Sequence, residues 1–223
     1  MENTESRAVI WDMDGVIVDT GDYHFRSWQY AFSRRGVEFT GEDFKHIFGQ
    51  RNDTIVRKII GSSVTQMEID AISNDKEENF RQIVKQGLKP FPGVIDLLGI
   101  LKEDGIYSAI ASSAPLENIQ LIINILDIKD YFQTIVYGKE VSEGKPSPKI
   151  FLRAAQKLGV EVRRCIVIED AVAGVTAAKN ARMRCIAVTN THTADSLSGA
   201  DLVVDSLENV SLKDLNQLFD DAK

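Results

Sequence analysis

No stretch of this chain is dominated by lysine or arginine, and 33 acidic residues against 26 basic ones give a formal net charge of −7. Such a balance leaves no electrostatic footprint for nucleic acid or an anionic membrane, so any anionic substrate must be held by local charge. No apolar run approaches the roughly 18 residues that a spanning helix needs, and the polar start MENTESR lacks the apolar core of a signal peptide. The expectation is a cytoplasmic protein with neither nucleic acid nor membrane as partner. Cysteine is scarce: Cys165 and Cys185 each stand alone in an apolar run, without the paired spacing of a metal or redox motif, and read as reduced core residues. Repeats and low-complexity segments are missing as well, and with nothing in the sequence bearing on oligomeric state, monomer is the default expectation.

What the chain does have is apolar residues, 43% of 223, enough for one large domain or for one domain carrying a smaller insertion. Short apolar runs, each followed by a helical pattern, recur through the second half: YSAIAS, TIVYG, CIVIED, RCIAVT and DLVVD. This alternation predicts a doubly wound α/β fold, a parallel sheet with helices on both faces. RAVIWD belongs with these strands by composition, yet from about Thr20 to Gly87 the strand signal vanishes and charged, amphipathic, helix-period residues replace it. The division expected is an α/β core of residues 1–19 and 88–223 interrupted by a helical domain over 20–87, with hinges at Asp19 to Gly21 and Gly87 to Pro90. Ligands of open α/β sheets bind outside the carboxyl ends of the strands, which makes an insertion leaving from that edge a lid.

Chemistry-bearing residues stand just beyond four of the predicted strands: Asp12 and Asp14, Ser112 with Ser113, Lys145, and Glu169 with Asp170. Each has a plain alternative. Asp170 could cap a helix beginning at Ala171, and Ser112 or Ser113 one beginning at Pro115. DMDG could open a calcium loop, but the further acid and the closing glutamate of an EF-hand are missing, and a strand precedes it where a helix should. Taken together, three or more acids at one sheet edge repel each other unless a cation neutralises them, and an all-oxygen set beside a phosphate suits Mg²⁺. Lys145, a serine hydroxyl and the amides opening the next helix are what a phosphoryl group needs. In an extended segment residues two apart face the same side, so Asp12 and Asp14 can address one phosphate from different angles.

DMDGV after an apolar strand, a serine ending a second strand, KPSP and IEDAVAGV, in that order, resemble the motifs of the haloacid dehalogenase superfamily and span the whole non-inserted part of the chain. The helical insertion is similar to the cap of the subgroup containing β-phosphoglucomutase and small-molecule phosphatases. The resemblance implies Asp12 as the nucleophile forming an aspartyl phosphate and Asp14 as general acid and base. It implies Ser112, Ser113 and Lys145 on the phosphoryl oxygens, and Mg²⁺ held by Asp12, the Asp14 main-chain carbonyl and Asp170 with help from Glu169. Within the insertion, DTGDYHFRSW, RNDT and DK resemble mutase cap segments. That likeness implies Arg51 gripping a second phosphate, and His24 and Lys76 coupling lid closure to Asp14. The plain alternatives are His24 and Trp28 packing together, Arg51 as a solvated charge at a helix start, and Lys76 on the surface.

Ala114, Pro115 and Leu116 stand where the mutases place polar and basic groups for the distal phosphate. Loss of those donors favours a phosphatase acting on a small phosphorylated metabolite, with a sugar phosphate foremost, over a mutase. A phospho-accepting signalling receiver shares an aspartate, a hydroxyl and a lysine at parallel strand ends. Receivers, however, are shorter, carry their extra acids before the accepting strand, and lack a helical insertion.

Overall fold

Six short runs of apolar residues pair side by side into one parallel sheet. In the computed structural model, which describes residues 6–47 and 49–220, the strands are β1 (Ala8–Trp11), β2 (Tyr107–Ser112), β3 (Thr134–Tyr137), β4 (Cys165–Glu169), β5 (Arg184–Val188) and β6 (Leu202–Val204). The helices in chain order are α1 (Gly21–Ser33), α2 (Gly41–Lys45), α3 (Asn52–Ile60), α4 (Gln66–Ile83), α5 (Val94–Glu103), α6 (Leu116–Ile125), α7 (Lys149–Leu158), α8 (Val172–Asn180) and α9 (Leu212–Asp220). Among the described residues no helix is long and apolar enough to cross a membrane. The polar start, on which the leader-peptide reading rests, lies outside the described residues up to Ser6.

The chain divides into two compact units, one running to Asp19 and resuming at Lys89, the other being Thr20–Leu88. In the first, the strand order is β3-β2-β1-β4-β5-β6. Every strand pair is parallel, and the winding reverses at β1, which has β2 on one side and β4 on the other. This is the doubly wound architecture anticipated from the alternating runs, and the reversal is where such sheets form a crevice. Covered on both faces, the strands read as unbroken apolar runs: Val9, Ile10, Trp11, Ile110, Val167 and Ile168 are all fully buried. Ala8, Ile10, Ala109, Ala111, Val167 and Cys185 share one cluster with Phe151 and Ala154 of α7 and Ala177 and Ala178 of α8. α5 packs on β2 and α9 on β4. Both cysteines are free and buried, and burial pushes the Cys165 thiol up to about 12 and Cys185 higher still, so both are inert core groups.

In the helical unit, α1 buries His24, Ser27, Trp28, Ala31 and Phe32, the i, i+3, i+4, i+7, i+8 stripe of an amphipathic helix. Trp28, Ala31 and Phe32 meet Phe39, Ile55, Val56, Ile69 and Ile72 in a core of their own. α4 opens on a capping box, Thr65 accepting from the Glu68 amide while Glu68 accepts from the Thr65 amide at 2.9 Å. Its buried stripe is Ile69, Ile72, Lys76, Glu77 and Phe80, so a charged pair occupies positions an apolar residue would normally fill.

That pair corrects the surface reading of Lys76. Its side chain is 3% exposed, its ammonium lies 2.8 Å from Glu77 Oε1 and over the rings of Trp28 and Phe80, and Asn52 donates to the same carboxylate at 2.7 Å. Burial alone would raise the Glu77 pKa, but Lys76 and His24 outweigh it and hold the carboxyl below the ordinary glutamate range. A depressed folded value contributes stability that is present above the ordinary glutamate range and is lost as pH falls through the folded one. Glu77→Ala, which strands the ammonium, is expected to cost about 3–5 kcal/mol, read by denaturant titration. Glu77→Gln, which keeps an acceptor for Asn52, should cost less.

Candidate active site

The sheet delivers its first acid by simple continuation. Trp11 pairs with Ile110 and Ile168, and the Asp12 amide carries the ladder one step further by donating to Ile168 O at 3.0 Å, which sets Asp12 beside Glu169 at the end of β4. The chain then turns sharply. The Gly15 amide donates to Val18 O and the Ile17 amide to Met13 O, each at 2.9 Å, while Val16, Ile17 and Val18 return to the interior. Gly15 has φ +87°, and a Cβ there would run into the Asp170 carboxylate. The glycine of DMDG is therefore demanded twice, by a backbone region that L residues avoid and by the acid from β4 packed against it.

Lys145, from the segment between β3 and α7, reaches into this corner with its side chain 8% exposed. Its ammonium lies 2.6 Å from Asp12 Oδ1, donates to Glu169 Oε1, and rests 5.2 Å from the centre of the Phe151 ring. Glu169, fully buried, also accepts on Oε2 from the Asp170 and Ala171 amides at 3.0 and 3.1 Å. Oxygens of Asp12, Glu169 and Asp170 all lie within 4.8 Å of one another. Burial first, then Glu169 and Asp14, push the Asp12 carboxyl up to about 7 against the pull of Lys145. Burial, Glu169 and Asp12 raise Asp170 well above the usual aspartate range. Burial works to lower the Lys145 pKa, but Asp12 and Glu169 outweigh it and raise it. One ammonium cannot balance three carboxylates, so Asp12 and Asp170 hold their protons more tightly than free aspartates do. A hard divalent cation would replace those protons, and an all-oxygen, buried, converging donor set suits one.

Neither helix-cap alternative holds. The residue before α8 is Ala171, with no side-chain cap, and the Asp170 carboxylate instead accepts from Thr191. α6 follows Pro115, again without a side-chain cap, and Ser112, 1% exposed, accepts the Ala114 amide at 3.1 Å. That bond uses a lone pair of Ser112 and leaves its proton to donate. Ser113 stands next to it, partly covered, with its carbonyl so close to Gly138 that a Cβ there would strike it. Asp14 is half-buried on the loop that Gly15 turns.

The remaining candidates belong to the helical unit. His24 stacks on Phe80 at 4.2 Å and Trp28 on Phe32 at 5.2 Å, both on the buried stripe of α1. Lys76 lies over Trp28 and Phe80, joining three of the four candidates in one cluster. Arg51 precedes α3, 3.4 Å from Asp53 and 27% exposed, a helix-start charge that is largely covered.

Several contributors escape the sequence reading. Gly174 on α8 leaves room for Glu169, because a Cβ there would overlap its carboxylate. Beyond β5, Asn190 donates to Gly15 O at 2.8 Å and Thr191 engages Asp170. Their signal is polar residues directly after an apolar run, the same criterion that selects Asp12, Ser112 and Glu169.

A doubly wound α/β sheet with a helical insertion, whose winding reversal gathers an aspartate, a lysine and two further acids, is an arrangement suited to phosphoryl transfer. Residues 9–188 match the family described as haloacid dehalogenase-like hydrolase, and the chain belongs to that family. It is 33% identical, over 78% of its length and 81% of the other, to a phosphorylated carbohydrates phosphatase of Thermotoga maritima. A β-phosphoglucomutase structure from Clostridium difficile superposes with a TM-score of 0.89 at 27% identity, covering 97% of this chain and 98% of that one. The chain is also 35% identical, over 93% of its length, to the chloroplastic protein SUPPRESSOR OF QUENCHING 1 of Arabidopsis thaliana, of which it spans only 20%.

Proposed function

We propose that the chain is a Mg²⁺-dependent phosphatase that hydrolyses a small sugar phosphate through a phosphoryl group carried on Asp12. The observation that carries this reading is the Lys145 ammonium 2.6 Å from a buried Asp12 whose neighbours are two more carboxylates. A carboxylate approaching a phosphate dianion meets a repulsion of roughly 8 kcal/mol, taking two charge products at about 4 Å and an effective dielectric near 20. Asp12, Asp170 and the Asp14 carbonyl would hold the cation, with Glu169 assisting, and when bound it supplies the missing positive charge. Lys145 opposes the same repulsion and orients Asp12 Oδ1, leaving Oδ2 for attack. Ser112 donates its free proton to a phosphoryl oxygen, with Ser113 and the amides opening α6 beside it. Asp14 protonates the departing sugar oxygen, then takes a proton from the water that attacks the phosphoenzyme.

The Thr20–Leu88 unit is proposed to act as the cap that selects the sugar, with His24, Trp28, Arg51 and Lys76 as its candidate contacts. Those residues and the mutase likeness favour one second reading, isomerisation of β-glucose 1-phosphate to glucose 6-phosphate. Against it stand Ala114, Pro115 and Leu116, which offer no side-chain donor to a distal phosphate. Incubation with β-glucose 1-phosphate and a trace of the 1,6-bisphosphate separates the two: free phosphate marks the hydrolase, glucose 6-phosphate the mutase. With p-nitrophenyl phosphate, repeated turnover marks an enzyme of either kind, whereas a receiver would stop after one.

The raised Asp12 pKa gives the metal dependence a pH signature. A carboxyl protonated below about 7 must lose that proton to bind a cation, so the Mg²⁺ concentration giving half-maximal activity should rise as pH falls from 8 to 6. Calorimetry in buffers of different ionisation enthalpy should register proton release on binding at pH 6.5. Binding without it would mean that Asp12 is already ionised.

A further inference from the structure

The residues that leave β5 have no part in the chemistry proposed above, yet they touch two of its components. Asn190 Nδ2 donates to Gly15 O at 2.8 Å, tying down the turn that carries Asp14. Thr191 Oγ1 lies within hydrogen-bond reach of both Asp170 O, at 3.0 Å, and Asp170 Oδ2. A hydroxyl has one proton to give, and a carboxylate oxygen is the stronger acceptor, so the proton goes to Oδ2. His192 Nδ1 lies 2.9 Å from Thr191 Oγ1 and 3.1 Å from Asp170 O, where its N–H, in the tautomer that carries one, supplies a donor to either. On its other side Oδ2 is packed so closely against Gly15 that no Cβ could be inserted.

From this geometry we infer that Thr191 is a positioning residue: it occupies Asp170 Oδ2 and thereby dedicates Oδ1 to a divalent cation, making Asp170 a one-oxygen ligand. Asn190 serves the same end by fixing the Gly15 carbonyl. The inference rests on the reading of the acid cluster as a cation site. One-oxygen coordination suits Mg²⁺, which demands near-ideal octahedral geometry, whereas Ca²⁺ accepts carboxylates that offer both oxygens. Thr191 therefore acts on the choice of ion as well as on affinity.

The test is calorimetric titration of the whole chain with Mg²⁺ and with Ca²⁺, alongside thermal denaturation in chelator. Thr191→Val removes the hydroxyl at nearly constant shape, and Thr191→Ala does so without the branch; the side chain is exposed, so neither empties a core position. The expected result is a Mg²⁺ dissociation constant raised by about 10-fold or more, the size usual for a group that orients a ligand. The Ca²⁺ constant should change much less and the chelated melting temperature should hold. Thr191→Ser, which keeps the hydroxyl, should restore Mg²⁺ binding to within a few-fold of the unaltered chain. Equal losses for both ions, or none, would overturn the clamp while leaving the cation site intact. A chain that binds neither ion before any substitution would overturn the cation site and the clamp together.

Discussion

Asp12→Asn is expected to lower phosphate release by on the order of 10⁴-fold or more, because no other group at the strand ends can take its place as nucleophile. The same substitution should leave the chain at least as stable. The Asp12 carboxyl is raised from 3.8 to about 7 in the folded chain, with burial as the largest cause. A carboxyl whose folded value lies above its unfolded one costs stability as pH rises past the unfolded value, and the cost is complete above the folded value. Asparagine carries no such cost and still offers Lys145 an oxygen. Melting in chelator at pH 8 should therefore show a midpoint equal to or above that of the unaltered chain, with a smaller gain at pH 5. Loss of activity together with a lowered midpoint at pH 8 would place Asp12 in the framework rather than in the chemistry. A gain in stability beside a loss of turnover is the pattern of a residue held in an unfavourable environment for function.

Much of this centre is legible in the order of residues alone, for a physical reason. Parallel strands buried on both faces leave apolar runs that end abruptly, and the first polar residue after each run falls at one edge of the sheet. Asp12, Ser112 and Glu169 with Asp170 follow from that rule, whereas Lys145 lies farther along the segment after β3, beyond Lys139 and Glu140. Thr191 follows Thr189 and Asn190 in the polar loop after β5, and such a loop has no distinguishing chemistry until the strand order sets the end of β5 beside that of β4. Gly15 is legible as a flexible point only, since the reason for it is the Asp170 carboxylate arriving from a distant part of the chain. The surface reading of Lys76 fails because it weighs charge above spacing: Ile69, Ile72, Lys76 and Phe80 follow helical periodicity, and that pattern, given its due, buries the lysine. Which side chains of the helical unit meet a substrate has no such rule, because helix periodicity fixes a face and not a target.

Asp14→Asn carries the second large effect, and its value lies in how the loss divides between the two half-reactions. A general acid is needed in proportion to the basicity of the leaving oxygen, and its removal costs typically 10²–10⁴-fold. A sugar phosphate, whose alkoxide must be protonated, should lose its first step by about that factor. p-Nitrophenyl phosphate, whose leaving group needs no proton, should still phosphorylate Asp12 rapidly. Its second step needs Asp14 again, now to deprotonate water, so turnover should stall with the phosphoryl group retained. The variant should thus show a burst of one p-nitrophenol per chain, and intact-protein mass spectrometry should find the added phosphoryl group. An aryl substrate that turns over freely would remove Asp14 from the water step, and a sugar phosphate cleaved at the unaltered rate would remove it from the acid step. A loss of equal size for both substrates, with no burst, would show that Asp14 matters through its main-chain carbonyl or the shape of the loop, because a missing proton donor cannot slow a reaction that needs none.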